Sequence, residues 1–330
     1  MFATTRSTGS PPPLGVGLLG CGVVGSAVAR GLVGARDRLA AALGRTPVIR
    51  AVAVRHPERR RDAPLSPATF CADPLTVVER DDVDVVVEAI GGLNPAGALI
   101  ELALHLGKDV VTVNKELLAR RWDCLREVAA ATGRTLAFEG SVMAGVPVVE
   151  PLAALAAADR VVRIQGVLNG TTNFCLHRME ERGTSLSEAL GEARDLGYTE
   201  LDPSSDVDGR DAAAKLAILG TVCFGRTVSL GDVEFAGIRG VTPADLARAR
   251  REAASIRLVA EAWRAGDRIV AHVAPRLLPL NHPLAQVEGV SNALLVEAEG
   301  AGRLLFQGTG AGGEPTAAAV LRDLVAVGSP

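Results

Sequence analysis

A short apolar segment, Gly15–Leu19, runs directly into Gly20-Cys-Gly22-Val-Val-Gly25 and then into an amphipathic stretch. A strand, a glycine turn and a helix in that order leave little choice of fold. Gly20 permits a tight turn, Gly22 lets backbone approach a pyrophosphate, and Gly25 lets the helix pack on the strand. The helix start, at Val23 and Val24, then turns its free N–H groups toward negative phosphates. The rhythm continues beyond this turn. Strands are expected at Gly15–Leu19, Val48–Val54, Val83–Ala89, Asp109–Val113 and Thr135–Phe138, with intervening stretches at Val23–Leu43, Asp73–Arg80, Pro95–Leu106 and Lys115–Thr132, the longer ones of helical period. Repeated strand–helix units imply a parallel sheet covered on both faces. The chain is therefore read as α/β, with an N-terminal Rossmann-type, doubly wound domain over residues 14–150 rather than an isolated glycine-rich turn.

After Pro151 the rhythm changes. Helical patterns appear at Thr172–Arg182, Leu186–Leu196, Gly209–Gly225 and Pro243–Ala265, and strand-like pieces at Val161–Leu168, Arg268–Leu277, Ala293–Glu299 and Leu304–Gln307. That is an α+β second domain over residues 151–305. A last helix is expected at Glu314–Ala326, and residues 1–13, ending in three prolines, read as a disordered arm.

Composition excludes several roles. The densest basic run is Arg59, Arg60 and Arg61, and aromatics make up 3% of the chain, so neither a nucleic-acid footprint nor a base-stacking surface is expected. No apolar run reaches membrane-spanning length, and the N-terminus lacks a secretory pattern. The five cysteines, Cys21, Cys71, Cys124, Cys175 and Cys223, have neither zinc nor disulfide-framework spacing and read as small apolar residues of a reducing cytoplasm.

The end of the second strand normally selects the cofactor. A carboxylate there would accept the ribose hydroxyls of NAD, but the chain offers Arg55, with Arg59 close behind. Arginine suits a 2′-phosphate, which favours NADP over NAD; the same side chain could instead stack on adenine without choosing.

Lysine is scarce: of 35 Lys plus Arg, only Lys108, Lys115 and Lys215 are lysines. Arginine does not give up its proton in a protein, whereas a lysine can act as acid or base, so the survivors are candidates for proton transfer. Lys215 lies four residues after Asp211 within a run that also holds Glu200, Asp202, Asp206 and Asp208. The bland alternatives are a solvated acidic loop and a simple helix-face ion pair. The functional one is a carboxylate cluster that receives a substrate ammonium while lysine serves a reacting oxygen.

Seven stretches carry a family resemblance: VEAIGGLNPA (87–96), GKDVVTVNKELLA (107–119), FEGSVMAGVPVV (138–149), GVLNGTTNF (166–174), LGYTELDPSSDVDGRDAAAKLAIL (196–219), PLNHPLAQVEGVSNA (279–293) and GTGAGGEPTAAAV (308–320). In these the chain closely resembles homoserine dehydrogenase from Gly17 to Val327. The resemblance implies interconversion of L-homoserine and L-aspartate 4-semialdehyde with NAD(P), running as aldehyde reduction toward threonine, methionine and isoleucine. It makes Lys115 and Lys215 the proton-transfer candidates, without dividing the work between them. Two cations sharing a site are expected to lower each other's pKa. Glu200, Asp206 and Asp211 match positions that hold the substrate amino group and orient the lysine, and Tyr198, Thr172 and Gly170 match the surrounding pocket. Gly91 and Asn114, with Lys115 beside them, fall on the cofactor side. Gly308 and Gly310 are expected to close over the cofactor as residues 306–330 return to the first domain.

The resemblance further implies a homodimer and a monovalent cation, sodium, held by Glu139, Val142, Ala144 and Val146, mostly through carbonyls. Three departures stand out: Met143-Ala144 where small pairs are usual, GTGAG for a proline-containing loop, and Cys175 for a larger aliphatic residue. The chain stops at Pro330, so neither a C-terminal ACT domain nor an N-terminal aspartate kinase is expected, nor feedback inhibition through such a domain. Two rivals are another semialdehyde oxidoreductase and a catalytically silent NAD(P)-binding sensor.

Overall fold

The computed structural model describes residues 11–328. The expected disordered arm therefore lies outside the described residues except for Pro11–Pro13, which are exposed and form no regular element. Six strands, β1 (Leu14–Leu19), β2 (Pro47–Ala53), β3 (Phe70–Cys71), β4 (Val85–Glu88), β5 (Asp109–Thr112) and β6 (Leu136–Ala137), form one wholly parallel sheet of order β3-β2-β1-β4-β5-β6. This is the doubly wound order whose topological switch, between β1 and β4, leaves a crevice for a dinucleotide. β1 and β4 are buried at every residue, as strands covered on both faces must be.

Helices Val23–Gly34 and Gly313–Gly328 pack together over one face, with Leu14, Leu18, Val85, Val320 and Leu324 in the shared core. Helices Ala96–His105 and Lys115–Thr132 cover the other face. The single helix expected over Val23–Leu43 is two, Val23–Gly34 and Arg36–Leu43, because the chain leaves helical geometry at Ala35.

The remaining strands, β7 (Val161–Val167), β8 (Val233–Phe235), β9 (Ala254–Ala265), β10 (Arg268–Pro279), β11 (Ser291–Ala298) and β12 (Gly302–Thr309), form a mixed sheet of order β12-β11-β7-β9-β10-β8. One face, with Ile164, Ala260, Ala262, Val273, Leu294 and Val296, enters the main core beneath helices Gly170–Arg182 and Arg210–Phe224. The opposite face carries Arg163, Gln165, Glu261, His272 and Leu305. Among the described residues only the short turn of helix Pro283–Gln286 packs at its end.

One expectation is overturned here. Pro243–Ala265 is not a continuous helix. The helix ends at Arg251, Ala253 takes a positive φ of 54°, and Ala254–Ala265 is the longest strand pairing of the sheet. β9 lies between β7 and β10 and is buried on both faces for most of its length, so it shows no two-residue alternation; its Ala, Leu and Glu content imitates a helix.

Candidate active site

Gly20 has φ +96°, and a Cβ there would stand 2.6 Å from the Ala89 oxygen; a Cβ on Gly25 would meet the Gly20 oxygen at 2.1 Å. Both must be glycine for the helix to sit on the turn. Gly22 faces open space. The helix from Val23 has no side-chain cap and no acidic residue in its first turn, so its N–H groups are free for an anion. Val23 is exposed and Val24 half-buried at this edge.

The loop after β4 is set by a residue the sequence reading did not single out. Glu88, wholly buried, accepts the N–H groups of Ile90 and Gly91, each at 2.9 Å, and the Thr112 hydroxyl at 2.6 Å. Asn114 donates to the Gly92 oxygen at 2.7 Å and caps helix Lys115–Thr132 by accepting from Leu117 at 3.1 Å. The cap aims the first residue of that helix, Lys115, into the junction between the sheets.

Across the junction, Asn169 caps helix Gly170–Arg182, accepting from the Thr172 N–H at 2.8 Å. The Thr172 hydroxyl also turns to Asn169, so Thr172 lies behind that residue, almost wholly buried. The Asn169 amide donates to Asp206 at 2.7 Å and to Asp211 at 2.9 Å. Asn169 is the second residue missed; its place at the start of a helix, in NGTTN, is the signal that could have found it. Gly170 packs against Val290, where a Cβ would meet its oxygen at 2.6 Å.

Asp211 is the centre of the cluster. It is 7% exposed, and its two oxygens each lie 3.0 Å from an ammonium: Oδ1 from Lys115 and Oδ2 from Lys215. Burial alone would raise its pKa, but the two lysines and the Asn169 amide hold it well below the usual carboxylate range. The expected mutual lowering of the lysines fails for Lys115. Asp211 stands between the two cations, and its charge raises Lys115 despite burial, with Asp206 and Glu200 adding to the effect. Asp206 moves up, first from burial and then from the charge of Asp211. Glu200 and Tyr198 are exposed at the rim, where the Tyr198 ring meets Phe174 edge-on at 5.3 Å and its carbonyl accepts from Thr171. The third lysine, Lys108, is remote and structural: buried, it donates to the Arg80 and Val83 oxygens.

The turn from Gly308 to Gly312 lies over this junction. Gly308 abuts Val146, the Thr309 oxygen accepts from the Gly145 N–H at 2.9 Å, and Gly313 abuts Val23 at the first glycine turn. Arg55 is exposed just beyond β2, and among the described residues no acidic side chain pairs with Arg55, Arg59 or Arg60. Arg61 instead braces this loop through the Arg59 and His56 oxygens.

Glu139, Val142, Ala144 and Val146 are buried together. The Glu139 carboxylate accepts the N–H groups of Val148, Val149 and Glu150 at the start of helix Val149–Ala158, and its own N–H donates to Asp323 at 2.9 Å. The Ala144 oxygen accepts from Arg322 at 3.2 Å, and Met143 takes a positive φ of 44° between the Val142 and Ala144 carbonyls. All five cysteines are free; Cys21, Cys175 and Cys223 are buried, and burial pushes the thiols of the last two up to about 12.

Comparison with known proteins gives the family. Residues 147–325 match the homoserine dehydrogenase family, and residues 20–139 match the homoserine dehydrogenase NAD binding domain. The chain is 44% identical to homoserine dehydrogenase of Mycobacterium tuberculosis over 322 residues, covering 96% of this chain and 73% of that protein. It is 45% identical to that of Mycobacterium leprae, covering 98% and 73%. Among solved structures, homoserine dehydrogenase of Thiobacillus denitrificans superposes with a TM-score of 0.90 at 37% identity, covering 96% of this chain and 73% of that one. A hyperthermophilic archaeal homoserine dehydrogenase in complex with NADPH gives 0.81 at 28%, covering 96% and 97%.

Proposed function

Because the chain belongs to the homoserine dehydrogenase family, and is therefore an oxidoreductase that interconverts L-homoserine and L-aspartate 4-semialdehyde with a nicotinamide cofactor, we propose that Lys115, Asp211 and Lys215 form its proton-transfer centre. The observation that carries this is the single buried carboxylate shared by two ammonium groups from helices of the two halves. Bound nicotinamide supplies or accepts the hydride. In reduction a lysine ammonium protonates the aldehyde oxygen; in oxidation a neutral lysine takes the hydroxyl proton. Asp211 keeps Lys115 charged, which suits reduction and makes oxidation favour alkaline pH. Asp206 and Glu200 receive the substrate ammonium, whose positive charge would offset the burial of Asp206. Tyr198 and Gly170 border the substrate, and Thr172 acts by holding Asn169. The glycine turn at Gly20, Gly22 and Gly25, with Val23 and Val24, takes the pyrophosphate; Gly91, Asn114, Gly308 and Gly310 take the nicotinamide end. Both lysines and Asp211 stand in one cluster, which gives a silent sensor no support.

NADP is the preferred cofactor in this reading. The support is the arginine set Arg55, Arg59 and Arg60, which has no acidic partner among the described residues, next to a cleft of about 630 Å³ that Arg59, Arg60 and Arg61 line. The solved relative bound to NADPH is consistent with it. A homodimer is supported by the bare face of the mixed sheet, where Leu305 and Val270 are exposed beside the Arg163–Glu261–His272 network. Residues 14–150, 151–305 and 306–330 then act as cofactor domain, substrate and dimer domain, and return segment, in a cytoplasmic enzyme of threonine, methionine and isoleucine synthesis. No helix among the described residues is long and apolar enough to cross a membrane.

Sodium fits in donor chemistry. The carbonyls of Glu139, Val142, Ala144 and Val146 are hard oxygens on buried residues, and the Asp323 carboxyl lies against the Glu139 N–H. Arg322 already takes one lone pair of the Ala144 oxygen, and the helix start occupies the Glu139 carboxylate, so the carbonyls are the donors left for the ion. Replacing sodium by choline at fixed ionic strength should lower the rate a few-fold; an unchanged rate and melting temperature would remove the ion from the enzyme.

The deciding experiment is initial-rate oxidation of L-homoserine at alkaline pH with NADP and NAD in parallel, on wild type and Lys215→Ala. A loss of at least ~100-fold in the variant is expected. Full activity in the variant would dismiss the lysine centre, and a faster rate with NAD would dismiss the reading of Arg55.

A further inference from the structure

Asn292 lies on β11 opposite Gly308 and is 1% exposed. Its Nδ2 donates to the Leu168 oxygen at 2.9 Å, and that same oxygen accepts from the Lys215 ammonium at 2.7 Å. Leu168 directly follows β7 and directly precedes Asn169, so this one carbonyl marks where the substrate-side strand ends and the carboxylate-binding cap begins. On its other side, Asn292 supports the turn over the junction. A Cβ on Gly310 would stand 2.0 Å from the Asn292 Cγ and 2.3 Å from its Oδ1, so the turn rests directly on the amide. That Oδ1 is buried and accepts no hydrogen bond.

A buried amide oxygen left without a donor is costly, and most such groups in folded proteins find a partner. Here the amide stands between the carbonyl that fixes Lys215 and a glycine turn placed at the cofactor side. We propose that Asn292 is a positioning residue with two separable tasks: its Nδ2 fixes the Leu168 carbonyl that holds Lys215, and its Oδ1 accepts an N–H that arrives with the cofactor. The donor is either the backbone of the 310–312 turn, ordered by cofactor binding, or the carboxamide of the nicotinamide ring. This rests on the reading of Lys215 given above.

Three variants of the full chain test it: Asn292→Ala, Asn292→Asp and Lys215→Ala, each with kcat, homoserine KM and the Kd for NADPH from its fluorescence. Asn292→Ala should lower kcat about tenfold, leave homoserine KM within about twofold, and weaken NADPH about tenfold, the scale of one buried hydrogen bond each. Asn292→Asp keeps the acceptor and the shape but loses the donor. It should lower kcat to a similar degree while NADPH affinity returns toward wild type. If the alanine variant does not fold, the isosteric aspartate variant carries the kcat arm.

The source of the N–H is separated with the 3-acetylpyridine cofactor analogue, which lacks the carboxamide N–H. If the carboxamide is the donor, Asn292→Ala loses no further affinity for the analogue; if the turn is the donor, the two losses add. Either result supports an acceptor role. A lowered melting temperature with kcat and NADPH affinity unchanged in both Asn292 variants would make the residue merely structural and overturn the proposal. Full activity of Lys215→Ala would instead remove the premise, and does so independently of Asn292.

Discussion

Lys115 and Lys215 hold the same carboxylate from opposite halves of the molecule, and they hold it differently. Lys215 sits inside helix Arg210–Phe224 with its side chain 8% exposed, fixed by Asp211 and by the Leu168 oxygen. Lys115 starts a helix of the parallel-sheet half, its side chain is 41% exposed, and among the described residues Asp211 is its one ion-pair partner. The buried lysine is part of the scaffold of the site; the other reaches across a junction and faces the cleft. A pair of this kind joins two sheets through a single carboxylate, so the site is complete only when both halves are in register.

The largest expected effect tests that contrast directly. Lys215→Ala and Lys115→Ala should each lose ~10²–10⁴-fold in kcat, the range of a general acid–base group. Added primary amine should then recover part of the rate in Lys115→Ala, whose lost ammonium faced the cleft, and none in Lys215→Ala. Equal rescue of both would break the comparison. Next is Asp211→Asn, which leaves Lys215 buried without its counter-charge and should destabilise the fold by roughly 3–5 kcal/mol. Lys115 is raised and Asp211 lowered in the folded state. Their contribution is therefore present between their ordinary values of 3.8 and 10.5, lost toward acid as Asp211 protonates and toward alkali as Lys115 deprotonates. Denaturant unfolding of wild type against variant across pH should show a difference that is widest in that window.

Asp206→Asn separates binding from stability. Homoserine KM should rise ~10–100-fold through loss of a charge-assisted contact. Because burial raises the Asp206 pKa in the folded state, its ionisation opposes folding above 3.8, so the variant should melt no lower than wild type at neutral pH. A clear drop in melting temperature would show that Asp206 serves the fold. The smallest effect is Arg55→Ala, which should reduce the NADP-over-NAD ratio in kcat/KM by about tenfold and leave the NAD rate nearly unchanged. An unchanged ratio would assign that arginine to the adenine.

The two halves were unequally legible. Lys115–Thr132 follows from sequence residue for residue, because Asn114 caps it and Gly133, at φ +63°, ends it. Five of the six parallel strands were found within a residue or two, since short apolar runs between glycines and helices have few other readings; β3, two residues long at the sheet edge, was not. β9 was not, because a strand buried on both faces and built of Ala, Leu, Glu and Arg lacks the alternation that marks a strand. Within the site, the charged residues around Asp211 declared themselves, but Glu88, Asn169 and Asn292 did not. Each joins a group far along the chain, Glu88 with Thr112, Asn169 with Asp206 and Asp211, and Asn292 with the Leu168 oxygen, and those contacts exist only once the chain is folded.

The placing of the three lysines also has a consequence for chemical labelling. Lys108 and Lys215 are each 6% exposed, so Lys115 is the only side-chain amine open to a reagent on the described surface. An acylating or reductively alkylating reagent, which on most proteins would modify the whole exterior, acts here as an active-site reagent. Its uptake at Lys115, read apart from that at the chain's α-amine, counts competent sites, and protection by substrate measures their occupancy.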